Sequence, residues 1–392
     1  MESRTAFAET GIRLTTTQFM KEEYSTGKAD LMTAFMVRAQ ELTVSRGTWA
    51  MINLPSWMSL KSFEDLRHDL LRIQRISSMV HLGRGIFGSD FGTVAFVIDN
   101  APANSARGVY RRLFEHHVDV RSVSAIEALF RDSAYNRYEV SQADFAAIPG
   151  CPIVYWLSEK MRAVFTAGAP LGAVASLAVG LQTGDNSRFL RQWWEVSRSR
   201  SAFTCTSREE AASSGARWFP YNKGGEFRKW YGNHEFVVNW EHDGAEIVAF
   251  KPRSVIRNPR TYFSPSVSWS KISSGAPAFR AYPPGFLYDV AGTSIFVTAG
   301  QVARRVISFA NSQVALELLA AIAPTLNYEV GQVAGLPVAE AAAGRGATIA
   351  AMAVDAARVD WNTSETSWGF RYNPLVALFE RGETSIPLSP GP

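Results

Sequence analysis

At 392 residues, 46% of them hydrophobic and 12% aromatic, the chain is long enough for two or three domains and too rich in core material to be disordered. Its formal charge of +4 and pI near 9.0 favour an acidic partner without naming one. Two cysteines, Cys151 and Cys205, are too few for a disulfide framework and are not spaced as a zinc site. The amino terminus MESRTAFAETGIRL also lacks a signal-peptide apolar run, so a cytoplasmic location is expected.

In chain order, the spacing predicts a helix over 29–42 with Leu31, Phe35, Ala39 and Leu42 on one face and Gly47 as its stop. A strand follows over 48–54. Ser62 and Asp65 then read as a capping pair before a helix whose face is Phe63, Leu66, Leu70 and Ile73. Strands are expected over 76–82 and 93–98, joined by a glycine-rich loop. This is half of an α/β sheet, a partial Rossmann-like arrangement. A doubly wound domain places its cofactor-binding turn after the first strand, and the chain reads as starting downstream of it. Residues 1–100 are therefore taken as the distal half of a domain and 101–150 as a basic connecting segment, ending at the turn Pro149-Gly150-Cys151-Pro152.

From Cys151 a helix is expected through Ile153, Leu157, Met161 and Val164. Residues 163–184 are uncharged over a length that could cross a bilayer, but they are Ala- and Gly-rich and contain Pro170, so no membrane span is expected. The region up to 338 is dense in Gly, Ser, Trp and Arg and reads as a mixed α+β domain. Ser312 to Ala323 returns to helical periodicity. Residues 339–392 begin helical and end in a Pro- and Ser-containing tail expected to fray.

Gly83-Arg84-Gly85-Ile86-Phe87-Gly88 matches the dinucleotide fingerprint G-x-G-x-x-G. That use needs a helix next, whereas 93–98 reads as a strand, so a strand-to-strand loop is expected instead. The six histidines fall at no metal-ligand spacing, and His116-His117 reads as a surface pair. No nucleophile elbow or phosphate loop occurs, so neither a metal site nor self-contained catalysis is expected.

The strongest signal lies between Arg188 and Arg280, where fifteen Lys or Arg face eight Asp or Glu and six of the eleven tryptophans fall. Cations for phosphates, forked donors for base edges and aromatic faces among turns are what a nucleic-acid-reading surface needs. Its densest patch runs from Tyr221 to Tyr231 and includes Asn222, Lys223, Arg228, Lys229 and Trp230, with Gly224-Gly225 allowing close backbone approach. The alternative is a solvated hairpin whose tryptophans merely pack. Arg253, Arg257, Arg260, Lys271 and Arg280 form a looser second group around Trp269. All of these are expected to share one cationic face.

Several strings resemble a known family: INLPSWM (52–58), IPGCPIVYWLSEK (148–160), GLQTGDNSRFLRQWWEVS (180–197), FPYNKGGEFRKWYGNHEFVVNWEHDG (219–244), PTLNYEVG (324–331) and SETSWGFRYNPL (364–375). They are similar to PglX-type adenine methyltransferases of BREX phage-defence systems, and the similarity extends over nearly the whole chain. The resemblance implies the later half of a methyltransferase domain (1–100) and a target-recognition domain (151–338). The intact enzyme would use S-adenosylmethionine to methylate adenine N6 at a specific site. The family's N-P-P-Y catalytic tetrapeptide is missing, since Asn258-Pro259 is followed by Arg260 and Asn373-Pro374 by Leu375. No catalytic or cofactor-binding residue is therefore assigned, and no cofactor is expected on this chain alone. Double-stranded DNA is the expected partner, through Thr183, Asn186, Arg188 and Arg191 besides the residues above. The missing amino-terminal half or other BREX components are expected as protein partners. A stand-alone DNA-binding specificity module, or a scaffold of the defence complex, is the alternative.

Overall fold

The computed structural model describes residues 12–87, 92–103, 106–115, 120–273, 275–297, 300–323, 327–338 and 345–376. The chain forms two compact units, Met1–Ala167 and Gly168–Pro392. The first carries a five-stranded sheet built from β1 (Thr48–Asn53), β2 (Arg75–Arg84), β3 (Gly92–Asp99), β4 (Arg107–Arg112) and β5 (Arg137–Ser141), in the order β1-β3-β2-β4-β5. β3 runs antiparallel to both β1 and β2, β2 and β4 are parallel, and β5 returns antiparallel to β4. The mixed α/β class expected from the sequence is present. β1 occupies one border of the sheet, and of its side chains Trp49 points into the core while Ile52 is exposed.

Two helices flank β1 in sequence, α1 (Leu31–Leu42) and α2 (Glu64–Ile73). α2 buries Leu66 and Leu70 as its periodicity predicts, against Ile76, Met79, Phe96 and Tyr110. Its start differs from expectation: the chain enters through a 3-10 turn, Lys61–Phe63, so Phe63 stands at the cap without a side-chain bond, and Ser62 caps nothing. α1 is turned over relative to expectation. Thr33, Ala34 and Met36 are buried, whereas Leu31, Phe35 and Leu42 are 55%, 57% and 69% exposed. The local reason is Thr33, whose hydroxyl lies 2.8 Å from both the Gly27 and Asp30 carbonyls and fixes that side inward.

The expected boundary at 150/151 moves to 167/168, because Cys151, Ile153 and Tyr155 belong to the first core. Buried Arg67 fastens this segment: Nε and Nη2 donate to the Gly150 carbonyl at 2.9 and 2.6 Å, and Nη1 to those of Trp57 and Leu60. Burial pulls its pKa down to about 10. The helix expected from 153 begins only at Glu159, since Cys151 is left-handed (φ 48°) and 151–158 is irregular.

The second unit is α+β. One sheet joins β6 (Leu190–Gln192), β7 (Trp218–Asn222), β8 (Phe236–Asn239) and the short pair Leu287–Tyr288, which lies parallel to β7. Another contains Ser176–Ala178, Ser266–Trp269, Phe279–Tyr282 and Ser294–Phe296. The helix predicted over 312–323 spans Gln313–Ile322, with Ser312 Oγ accepting from the Ala315 amide as its cap. The Ala-rich helix of the last part of the chain is Arg345–Trp361. The expected tail beyond 376 and the His116-His117 pair lie outside the described residues. Among the described residues no single helix is long and apolar enough to cross a membrane, and no cluster of His, Cys, Asp or Glu could hold a metal ion.

Candidate nucleic-acid interface

The predicted residues divide according to what the fold already uses them for. β7 is covered on both faces, so the adjacent residues Tyr221 and Asn222, which point in opposite directions, are both essentially inaccessible. Tyr221 Oη lies 2.7 Å from a carboxylate oxygen of buried Asp289, which also accepts from Lys223 Nζ at 2.7 Å and the Ala291 amide at 2.8 Å. Burial and that carboxylate hold the Tyr221 phenol well above its ordinary pKa. Asn222 Nδ2 donates to Ser268 Oγ at 2.6 Å and the Gly292 carbonyl at 3.0 Å.

Arg280 is wholly buried. Its Nη1 donates to the Glu226 and Arg228 carbonyls at 3.4 and 3.2 Å, and its Nη2 to Ser270 Oγ at 2.9 Å. Arg228 pairs with Asp360 at 3.1 Å and sits 5.0 Å from the Trp361 ring, while Lys229 Nζ donates to the Asn311 carbonyl. Trp230, left-handed at φ 73°, bonds through its backbone to Phe279 and Ala281 on either side of Arg280. The patch most charged in sequence is thus largely an internal scaffold.

A second group is neutralised. The segment Glu241–Ala249, left-handed over 242–244, presents Glu241, Asp243 and Glu246. These face Arg200, Arg208, Arg217 and Arg188, with Arg188 3.7 Å from Glu246 and also against the Phe189 and Phe250 rings. Arg191 spends one nitrogen on the Ser187 and Leu190 carbonyls, both at 2.6 Å. Of the six tryptophans in the window, Trp240 and Trp269 are core residues and Trp194 alone is classed as exposed, at 43%. With Arg280 they lie inside the unit, so the window does not gather on one face as expected.

What remains uncompensated is compact. Lys251, Arg253, Arg257 and Arg260 form no ion pair among the described residues, and Lys251, Arg253 and Arg260 are exposed. Their segment is fixed through its backbone. Gln182 and Val255 exchange amide bonds at 2.9 and 2.8 Å, Asn258 Nδ2 donates to the Val179 carbonyl at 2.9 Å, and Tyr262 Oη to that of Arg257 at 2.8 Å. Residues 180–187 therefore lie beside 251–258. There Thr183 is buried with its hydroxyl 2.8 Å from Asn186 Oδ1, and Asn186 is exposed. Gly184, at φ 77°, admits the neighbouring turn: a Cβ would come within 2.6 Å of the Arg253 carbonyl. Arg257, Gln182, Asn258 and Lys271 line an open cleft of about 580 Å³; Lys271 is paired with Glu329 at 3.0 Å, and one Arg257 Nη is buried without a partner. The segment 251–260 thus carries four cations without an ion-pair partner among the described residues, held beside the 180–187 loop by the single bridge between Gln182 and Val255.

Lys251 and Gln182 were not singled out from sequence. A signal existed: from Ile247 to Tyr288 the chain has no acidic residue. Charge summed over a longer window hid it.

The glycine motif at 83–88 does not fit a methyl donor. Gly83, at φ 78°, lies inside β2 at an irregularity of its pairing with β3, Gly85, at φ 106°, follows the strand, Gly88 lies outside the described residues, and the next described element is antiparallel β3 and not a helix whose amino terminus could face an anion.

Residues 7–87 match the family model of the Eco57I restriction-modification methylase. The chain is a homologue of adenine-specific methyltransferases over 92% of its length, as the quoted strings implied. It is 34% identical over 374 residues to the adenine-specific methyltransferase PglX of Lacticaseibacillus casei (strain Zhang), covering 31% of that protein. It is 33% identical over 369 residues to the adenine-specific methyltransferase BrxX of Escherichia coli O9:H4 (strain HS), covering 29%. The chain thus spans about a third of the length of these curated relatives. Among solved structures it is similar, at 10% identity and TM-score 0.46, to a nuclease-deletion mutant of the Type ISP restriction-modification enzyme LlaGI in complex with a DNA substrate mimic, over 83% of this chain and 36% of that one.

Proposed function

We propose that this chain is the DNA-reading part of a site-specific DNA adenine-N6 methyltransferase of a BREX-type phage-defence system. The observation that carries the reading is the run of Lys251, Arg253, Arg257 and Arg260, none of them ion-paired among the described residues, beside the 180–187 loop, in a chain whose homologues are adenine-specific methyltransferases. Phosphates meet the exposed cations, and Gln182 and Arg257 reach base edges from the cleft. Arg188, Arg191, Arg228 and Lys229 add contacts at the margins, whereas Tyr221, Asn222, Lys223, Thr183 and Arg280 hold the surface in shape. S-adenosylmethionine and the transferring groups belong to a segment outside this chain. Support for such a segment comes from β1, a border strand beside exposed Ile52 and Leu54, and from the exposed Leu31, Phe35 and Leu42 of α1.

Two measurements test this. A duplex recovered by selection from a randomised pool should displace labelled duplex at physiological salt where a scrambled one does not; equal competition by both would remove the claim of site-specific reading. Methyl transfer to that duplex should be absent with this chain alone and appear once the upstream segment of the relatives is supplied. Methylation by the chain alone contradicts the division of labour.

A further inference from the structure

Phe227 is the one large aromatic that the 221–231 region holds out of the protein. Its neighbours show the local habit. Tyr231, Tyr282, Phe286 and Trp368 pack around buried His234 at ring separations of 4.5 to 5.7 Å. Phe227 is 63% exposed, and its ring meets no other aromatic ring among the described residues. A loose loop would let such a ring fold back onto this cluster. This loop is not loose. The carbonyl of Gly224 accepts from Asn233 Nδ2 at 3.1 Å, that of Gly225 from Ser270 Oγ at 2.8 Å, and that of Glu226 from Asn233 at 3.0 Å and Arg280 at 3.4 Å. On the far side Arg280 also takes the Arg228 carbonyl at 3.2 Å. A wholly buried guanidinium thus grips the residue on each side of Phe227.

Gly224 and Gly225 make the turn, at φ 84° and 109°. The next two residues, Arg228 and Lys229, are cations, and the Arg228 partner Asp360 is itself 73% exposed, a pairing that a phosphate can replace.

We propose that Phe227 is a wedge that inserts between stacked base pairs of the bound duplex, with Arg228 and Lys229 meeting the flanking phosphates. This rests on the DNA-reading function proposed above. A rigidly mounted apolar ring inserted at a base step unstacks it and bends the duplex, the deformation that also eases extrusion of a base.

The test uses this chain and the selected duplex, with 2-aminopurine moved position by position through the bound site. The wild-type chain should raise fluorescence more than twofold at one step. Phe227→Ala should abolish that rise while weakening binding less than about tenfold, and Phe227→Trp should restore it; unchanged melting of both variants shows that the fold is kept. Binding without any local rise, or a rise that survives in Phe227→Ala, overturns the wedge and leaves DNA reading standing. No preference for the selected duplex removes both.

Discussion

Arg280 and Arg257 are both arginines of an acid-free stretch, yet the fold gives them opposite tasks. Arg280 is sealed in and holds the carbonyls on both sides of Phe227. Replacing it with Met leaves those acceptors and Ser270 without their donor, at about 2 to 4 kcal/mol in urea unfolding. Arg257 is half-buried in an open cleft with one nitrogen unpartnered. Arg257→Ala should leave unfolding within about 0.5 kcal/mol of wild type. It should relax preference at a single base pair by roughly 1 to 3 kcal/mol, read by repeating the selection. A uniform loss across all sequences would make Arg257 a phosphate contact instead.

At the scale of elements, the ledge formed by 180–187 and 251–260 is the unit that binding should depend on. Each phosphate contact removed lowers the slope of log affinity against log salt by about 0.9. The triple variant of Lys251, Arg253 and Arg260 to Ala should therefore flatten that slope by close to 3. The equivalent change at Arg200, Arg208 and Arg217, already facing Glu241, Asp243 and Glu246, should alter it by less than about 1. Elements were legible in the sequence where one periodicity met one cap, as at Ser312 before Gln313–Ile322. The helix Leu31–Leu42 was legible but its orientation was not. Apolar residues occupy both sides, and the choice fell to the Thr33 hydroxyl, which periodicity does not weigh. The basic patch around Lys223 misled for a related reason: composition counts a charge without knowing that Asp289, sixty-six residues away, already holds it.

For the molecule as a whole, acid is the clearest lever. His234 is enclosed by aromatic rings, and burial, with Arg280 nearby, pulls its pKa down to about 3 from an ordinary 6.5. Between those values the unfolded chain binds a proton that the folded chain refuses. Stability attributable to this site is thus full above about pH 6.5 and lost as pH falls toward 3, by up to about 1.4 kcal/mol per pH unit. His234→Phe should flatten the melting temperature of the protein over that range relative to wild type. An unchanged acid limb would show that the imidazole is not the group responsible.

The register joining 180–187 to 251–258 is written in main-chain atoms, through Gln182 and Val255. Side chains at 182, 251, 253, 257 and 260 can therefore be exchanged while the ledge keeps its geometry. If the proposed reading holds, a change of recognised sequence needs only point substitutions on a frame that main-chain bonds already hold in line.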